Sequence, residues 1–388
     1  MKEIYLDNSA TTRICDAAKE KMLLAMECYG NPSSLHTVGQ NAQQLLEEAR
    51  RAVALSLGVR RIPEQGRIVF TSCGSEADQL ALFGTAYAKE RRRGGRIIST
   101  DSEHPAVENA LRALESQGFE VVRISTKGGV LNFEQYAAAL NEKVFLVTLM
   151  MVNNETGAVY DLSRAFRMAK TKNPEIVTHT DAVQGYMKRR FTPAALGADL
   201  ISVSGHKIGA AKGVGALYLS PEALRRRDVV AVLKGGGQED GFRSGTENTV
   251  CIAGFGAAAA DGTAHLNEAI ERMLSLRMKA ETLLRELPVR LHLPTGERAP
   301  HILNFALPDI RSETMVHALS ARGICVSGGS ACSSHDKKLS RALLAFGVPE
   351  REVECSVRIS LSKDNTEEEI RIFADALKEE IARLVRMR

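Results

Sequence analysis

Several things are scarce or missing in this chain of 388 residues, and each absence removes a class of protein. Charge of one sign is not in excess. The 51 basic and 47 acidic residues leave a net charge of +4, so no overall field directs the chain to nucleic acid or to a membrane. No stretch approaches the roughly 20 apolar residues of a membrane span, and the first residues lack the apolar core of a signal peptide. Cysteine shows no framework: Cys15, Cys28, Cys73, Cys251, Cys325, Cys332 and Cys355 are odd in number and irregularly spaced, as free thiols in a reducing compartment are. Internal repeats and low-complexity tails are missing too. The expectation is a soluble cytoplasmic protein, with Arg91-Arg-Arg93 as the solvated end of a helix.

What is present is an ordinary globular composition, 44% hydrophobic, and enough chain for one large domain plus a smaller one. From Arg67 onward, strand-like and helix-like stretches alternate. Strands are expected over 67–72, 96–100, 120–125, 144–152, 176–181 and 200–204, with helices over 76–92, 105–116, 133–141 and 162–169 between them. Such alternation predicts an α/β fold with a mostly parallel central sheet and helices on both faces. Earlier, helices are expected over 13–26 and 40–56. After Ser220 the composition shifts. The glycine-rich run 235–248 reads either as a loop reaching a ligand or partner subunit or as a plain linker, and a long helical region over 249–287 is broken near Gly262. Shorter strands and helices follow, forming a smaller α+β domain whose last helix opens on a capping box, Thr366-Glu-Glu-Glu369.

Ligands on parallel sheets sit beyond the carboxyl ends of the strands, which makes the residues just after each strand candidates. Thr71-Ser-Cys-Gly-Ser75-Glu opens a helix, where free backbone N–H groups suit a phosphate, although a Ser-Glu helix cap explains it equally well. Glu103-His104-Pro105 reads by itself as a helix start and Asn153-Asn-Glu-Thr-Gly157 as a turn. Most informative is Ser204-Gly-His-Lys207, between the stretch Leu200-Ile-Ser-Val203 and a glycine-rich turn. A lysine held on a rigid element can aim its amine at a carbonyl, although a polar residue leaving a strand would look the same. Upstream, Thr178-His-Thr-Asp181-Ala-Val-Gln184 ends another apolar stretch in an acid and an amide, about where a heterocyclic ring nitrogen would need an anion.

In the second half, Ser327-Gly-Gly-Ser-Ala-Cys332-Ser-Ser-His335-Asp-Lys-Lys338 places one thiol among small residues. His335, Lys337 and Lys338 favour its thiolate over the free pKa of about 8.5. The alternatives are an ordinary loop cysteine and a Cys-x-x-His metal fragment. A zinc site needs three or four ligands, and no second pair stands at metal spacing, so no metal is expected.

Taken in order, these motifs resemble the pyridoxal-phosphate-dependent cysteine desulfurases of the class V aminotransferase group. The likeness runs from Tyr5-Leu-Asp-Asn-Ser-Ala-Thr-Thr12 through Ser204-Gly-His-Lys207, Arg243-Ser-Gly-Thr246 and Ser330-Ala-Cys332-Ser-Ser to Arg358-Ile-Ser360. It implies a fold-type-I architecture, with residues 13–255 as the cofactor-binding domain and 1–12 with 256–388 as the small domain. It also implies a homodimer, L-cysteine as substrate and a sulfur-acceptor protein as partner. Lys207 would hold pyridoxal 5'-phosphate covalently, Asp181 would pair with the pyridinium nitrogen, Gln184 would contact the ring hydroxyl and His104 would stack on the ring. Gly74, Ser75, Ser204 and His206 would hold the phosphate, with Thr246 supplied by the other subunit. Asn154 and Arg358 would orient the substrate, the arginine by gripping its carboxylate, and Cys332 would carry the persulfide. The chain departs from the family pattern at Cys73, at Ala211 and in Ser362-Lys-Asp-Asn365. The last of these puts substrate preference and partner docking in doubt more than the class of reaction.

Overall fold

The computed structural model describes residues 3–89, 94–328 and 339–386. Its centre is a seven-stranded sheet ordered Arg67–Thr71, Gly215–Leu219, Leu200–Ser204, Val177–Asp181, Val144–Thr148, Arg96–Thr100, Glu120–Ile124. Six of these strands point the same way, while Gly215–Leu219 is antiparallel to both of its neighbours. The central strands are buried along their whole length, and LISVS of 200–204 and VFLVT of 144–148 are apolar enough to be covered on both faces.

The helices agree in kind with the expectation and differ at their ends. The first two span Asp16–Glu27 and Thr37–Ser56, the second starting early because His36 Nδ1 accepts from Gly39 N at 3.2 Å. The helix expected over 76–92 is Gly74–Ala88, and Arg91-Arg-Arg93 lies outside the described residues. The strand expected over 144–152 ends at Thr148, since the next residues turn across the sheet edge to carry the 153–157 turn. The helical region over 249–287 is two helices, Thr249–Ala264 and Leu266–Arg285, and the break falls at His265 rather than at Gly262. Thr366 and Glu369 cap reciprocally, Thr366 Oγ1 accepting from Glu369 N and Glu369 Oε2 from Thr366 N, each at 3.1 Å.

Two apolar cores flank the sheet. One gathers Val203, Phe255, Tyr186 and Val53 and takes in the helix Thr249–Ala264, while the other packs the helix Gly74–Ala88 over Val69, Leu146 and Leu217. A further core lies apart from these. It joins Leu6 near the N-terminus to Phe305, Val357 and Phe373 from the last third of the chain. There Ile4–Tyr5 pairs in parallel with Ile324–Cys325, and Ile302–Ala306 pairs antiparallel with Ser356–Ser360. The opening residues therefore reach the C-terminal part of the molecule and lie over the carboxyl ends of the central strands.

The glycine-rich run is pinned. Glu239 is buried and accepts from Arg50 NH1 at 2.7 Å, from Arg50 NH2 at 3.0 Å and from Phe70 N at 2.9 Å. Arg243 Nε donates to Glu76 at 2.8 Å.

Candidate active site

Four neighbouring strands end at one edge of the sheet, and their last residues or following turns supply the site. Asp181 closes Val177–Asp181. Ser204 closes Leu200–Ser204 and leads into the single turn Gly205–Lys207. His104 follows Arg96–Thr100 as the N-cap of Pro105–Ser116, and Asn154 lies in the turn after Val144–Thr148.

Lys207 Nζ donates to the main-chain carbonyl of Ser9 and, at 2.8 Å, to that of Ala10. Gln184 Nε2 donates to the same Ser9 oxygen at 2.9 Å. Asp181 is buried and accepts from Val183 N at 2.9 Å. Burial pushes its carboxyl up, while His104, that N–H group and Lys207 act the other way. Burial lowers the His104 imidazole below its usual range. Its Nδ1 accepts from Ala106 N at 3.2 Å, so the neutral ring carries its proton on Nε2.

A helix start and a buried hydroxyl meet beside these groups. The helix Gly74–Ala88 starts after Cys73, whose side chain caps nothing, and Glu76 reaches back to Ser72 N at 2.7 Å. A Cβ on Gly74 would sit 2.9 Å from Val183 Cγ2 and 3.2 Å from Ser204 Cβ, so only glycine brings this helix start so close. The buried Ser204 Oγ has no partner among the described residues. Ser75 stands half-buried in the first turn, and His206 Nδ1 lies 3.2 Å from Thr11 Oγ1, its imidazole lowered to about 4 by burial and by Lys207. Open N–H groups, an unpaired buried hydroxyl, an amine and a buried carboxylate are the donor set that a phosphorylated pyridine aldehyde requires, and these residues fit pyridoxal phosphate.

Arg358, on Ser356–Ser360, reaches the same edge and donates through NH1 to the main-chain oxygen of Asn154 at 2.8 Å. Thr246 is exposed on the loop that Arg243 ties to Glu76. Cys332 lies outside the described residues.

Three features had no signal in the sequence strong enough to assign them. Asp7 Oδ1 takes the other arm of Arg358 at 2.8 Å; its motif is visible, but its partner is 351 positions away. Glu155 accepts from Ser340 Oγ at 2.6 Å, and burial raises its carboxyl to about 7 against the pull of Arg358. Behind Asp181 the fully buried His179 bridges Thr148 Oγ1 at 2.8 Å and Ser202 Oγ at 2.9 Å. The departure at Ser362–Asn365 is a structural tie: Asn365 accepts from Ser362 N at 2.8 Å and donates to Tyr5 O at 3.1 Å.

The family model for aminotransferase class-V matches residues 4–373. A cysteine desulfurase of Trichormus azollae is 37% identical over 388 residues, covering 99% of this chain and 94% of the relative. Among solved structures, a NifS-like protein superposes with a TM-score of 0.90 at 36% identity, covering 98% of this chain and all of that one. SspA in complex with cysteine superposes with a TM-score of 0.79 at 29% identity over 94% of this chain and 100% of that one.

Proposed function

The chain belongs to the class-V aminotransferase family, and on that footing we propose that it is a pyridoxal-phosphate-dependent cysteine desulfurase. It would convert L-cysteine to L-alanine and leave the sulfur as a persulfide on Cys332. The observation that carries this reading is the meeting of an amine, a buried carboxylate and a neutral imidazole at the ends of neighbouring strands. The cofactor, when bound, supplies an electron sink for the bonds to the substrate α-carbon.

The chain's own residues would do the rest. Lys207 holds the cofactor covalently, and Asp181 keeps the ring nitrogen protonated because an ionised carboxylate buried there needs a cation beside it. Gln184 would contact the ring hydroxyl. Gly74, Ser75, Ser204 and His206 take the phosphate, with Thr246 added from a second copy of the chain. Asn154 and Arg358 orient the substrate carboxylate. His104, neutral and protonated on Nε2, would lie beside the cofactor and would pass protons together with the Lys207 amine, a contribution typically of about 10²–10⁴ in rate. The Cys332 thiolate attacks the substrate sulfur; the new S–S bond forms as the C–S bond breaks, and its electrons stay with the carbon fragment that leaves as alanine.

A homodimer is supported by Leu23, Leu24, Met26, Tyr29 and Leu35, all exposed on and just after the helix Asp16–Glu27. No described helix is long and apolar enough to cross a membrane, and the spacing of the cysteines supports a cytoplasmic site. The persulfide would pass to an acceptor protein for iron–sulfur cluster assembly or thiolation.

The test is alanine formed from L-cysteine under a thiol reductant, by the unaltered chain and by Cys332→Ser side by side. Alanine from the unaltered chain alone is the expected result. Alanine from both would remove Cys332 as the carrier, and alanine from neither would point to aminotransfer or to an inactive scaffold.

A further inference from the structure

Behind the candidate site, the helix Gly74–Ala88 is pressed onto the strands Val177–Asp181 and Leu200–Ser204, with Gly74 against Ser204 and Val183. Asp78 follows Gly74 by one turn, on the same face of that helix. It is 1% exposed, and its Oδ1 lies 3.8 Å from His179 Nε2. The same Nε2 lies 2.9 Å from Ser202 Oγ, and His179 Nδ1 lies 2.8 Å from Thr148 Oγ1. Strand register brings Asp181 into this group. Ser202 pairs with Asp181 and Thr148 with His179 on neighbouring parallel strands, and residues two apart on one strand point to the same face. Asp78, Ser202, His179 and Asp181 therefore meet on one buried face of the sheet.

This face holds two carboxyl groups and little to balance them. Burial lowers the His179 imidazole to about 3, so it is neutral and gives Asp78 no counter-charge. Among the described residues no lysine or arginine stands within ion-pair distance of Asp78, and its Oδ1 has no hydrogen-bond partner. Burial, then the neighbouring Asp181, with Glu103 and Cys73 adding to them, pushes its carboxyl well above the usual range against the pull of the Ser202 hydroxyl. Asp181 is the better ion of the two. It accepts from Val183 N at 2.9 Å, and His104 and Lys207 favour its charge. Two carboxyls in one apolar pocket cannot both ionise without strong like-charge repulsion.

We propose that Asp78 is a positioning residue for Asp181: as the un-ionised member of a buried carboxyl pair, it completes with Ser202 and His179 a dipolar floor that keeps the charge of this pocket on Asp181. The inference rests on the reading that Asp181 pairs with the ring nitrogen of pyridoxal phosphate. One proton is shared there, either on the nitrogen beside a carboxylate or on Asp181 beside a bare nitrogen. Polar neighbours favour the charged arrangement and apolar ones the uncharged. Without the floor, the N–H bond gives way to an O–H bond on Asp181, and no other group gains or loses a proton.

The test uses the full chain loaded with pyridoxal phosphate labelled at its ring nitrogen, and reads by NMR near neutral pH whether that nitrogen is protonated. The unaltered chain should show a protonated ring. Asp78→Leu keeps the approximate volume and removes the dipole, and its ring signal should move to the bare position. Asp78→Asn keeps both shape and dipole and should hold the protonated signal. A residue that merely supported folding would leave the ring protonated in any variant that binds the cofactor, so the signal separates positioning from packing. Should Asp78→Leu fail to fold, Ser202→Ala should move the signal in the same direction. A ring that stays protonated in Asp78→Leu, or in Ser202→Ala in its place, overturns the proposal. A bare ring in Asp78→Asn overturns it as well, because Asp78 would then be the ionised member. The signal needs no turnover, so a chain that binds the cofactor and forms no alanine would end the desulfurase reading while the ring nitrogen still decides this one.

Discussion

Arg358 is held between two ends of the chain, donating from NH2 to the Asp7 carboxylate at 2.8 Å and from NH1 to the main-chain oxygen of Asn154 at 2.8 Å. Asp7 thus fixes the plane in which the guanidinium meets a substrate carboxylate. Asp7→Asn removes the charge and keeps the shape. It should raise the KM for L-cysteine about tenfold, the effect of about 1.4 kcal/mol, with a smaller change in kcat and unaltered binding of the cofactor. An unchanged KM in steady-state alanine production would show that Arg358 needs no such support.

Lys207→Ala should abolish any borohydride-reducible link between protein and cofactor, while Cys332→Ser should retain it in full. Mass spectrometry of the reduced proteins reads the difference directly. A reducible link surviving in Lys207→Ala would move the attachment to another lysine, with Lys188 the first to examine.

Glu103 gives stability a pH dependence of known sign. Its Oε1 accepts from Thr100 Oγ1 at 2.7 Å and Met150 N at 2.9 Å, and Oε2 has no partner among the described residues. Burial raises the carboxyl from 4.5 to about 8. Between those values the folded chain holds a proton that the unfolded chain has released, so this group makes stability fall as pH rises through the window. Glu103→Gln should flatten that slope in urea unfolding measured from pH 5 to pH 8. Equal slopes in the two proteins would mean that Glu103 is ionised in the folded state.

Glu239 and Arg50 form a buried pair, with side chains 2% and 10% exposed. Glu239→Ala leaves a buried guanidinium and an unpaired Phe70 N–H, and should cost about 3–5 kcal/mol in denaturant unfolding. A loss below about 1 kcal/mol would show that the 235–248 run is not anchored there.

Periodicity and order made much of this molecule legible in one dimension. The alternating stretches from Arg67 to Ser204 specify a parallel sheet because strands buried on both faces must be apolar throughout and must be joined by crossover helices. Lys207, Asp181 and His104 could be nominated because residues that follow such strands share one edge. The capping box at Thr366 and Glu369 was equally local, each partner three positions from the other. Element ends were less legible. A side-chain cap such as His36, or the turn after Thr148, shifts a boundary by several residues without disturbing the hydrophobic pattern.

What the sequence by itself determined was therefore the layer order, the strand-end candidates and the family likeness, all of which depend on spacings of a few residues. Tertiary structure alone decided that Asp7 meets Arg358, that Glu239 reaches Arg50, and that Ser9 and Ala10 receive the Lys207 amine. These partners stand between 189 and 351 positions apart, and no local propensity encodes such a pairing. Charged and polar groups taken out of water must find partners in whatever the fold brings alongside them, so their pairings are fixed only when the chain closes on itself.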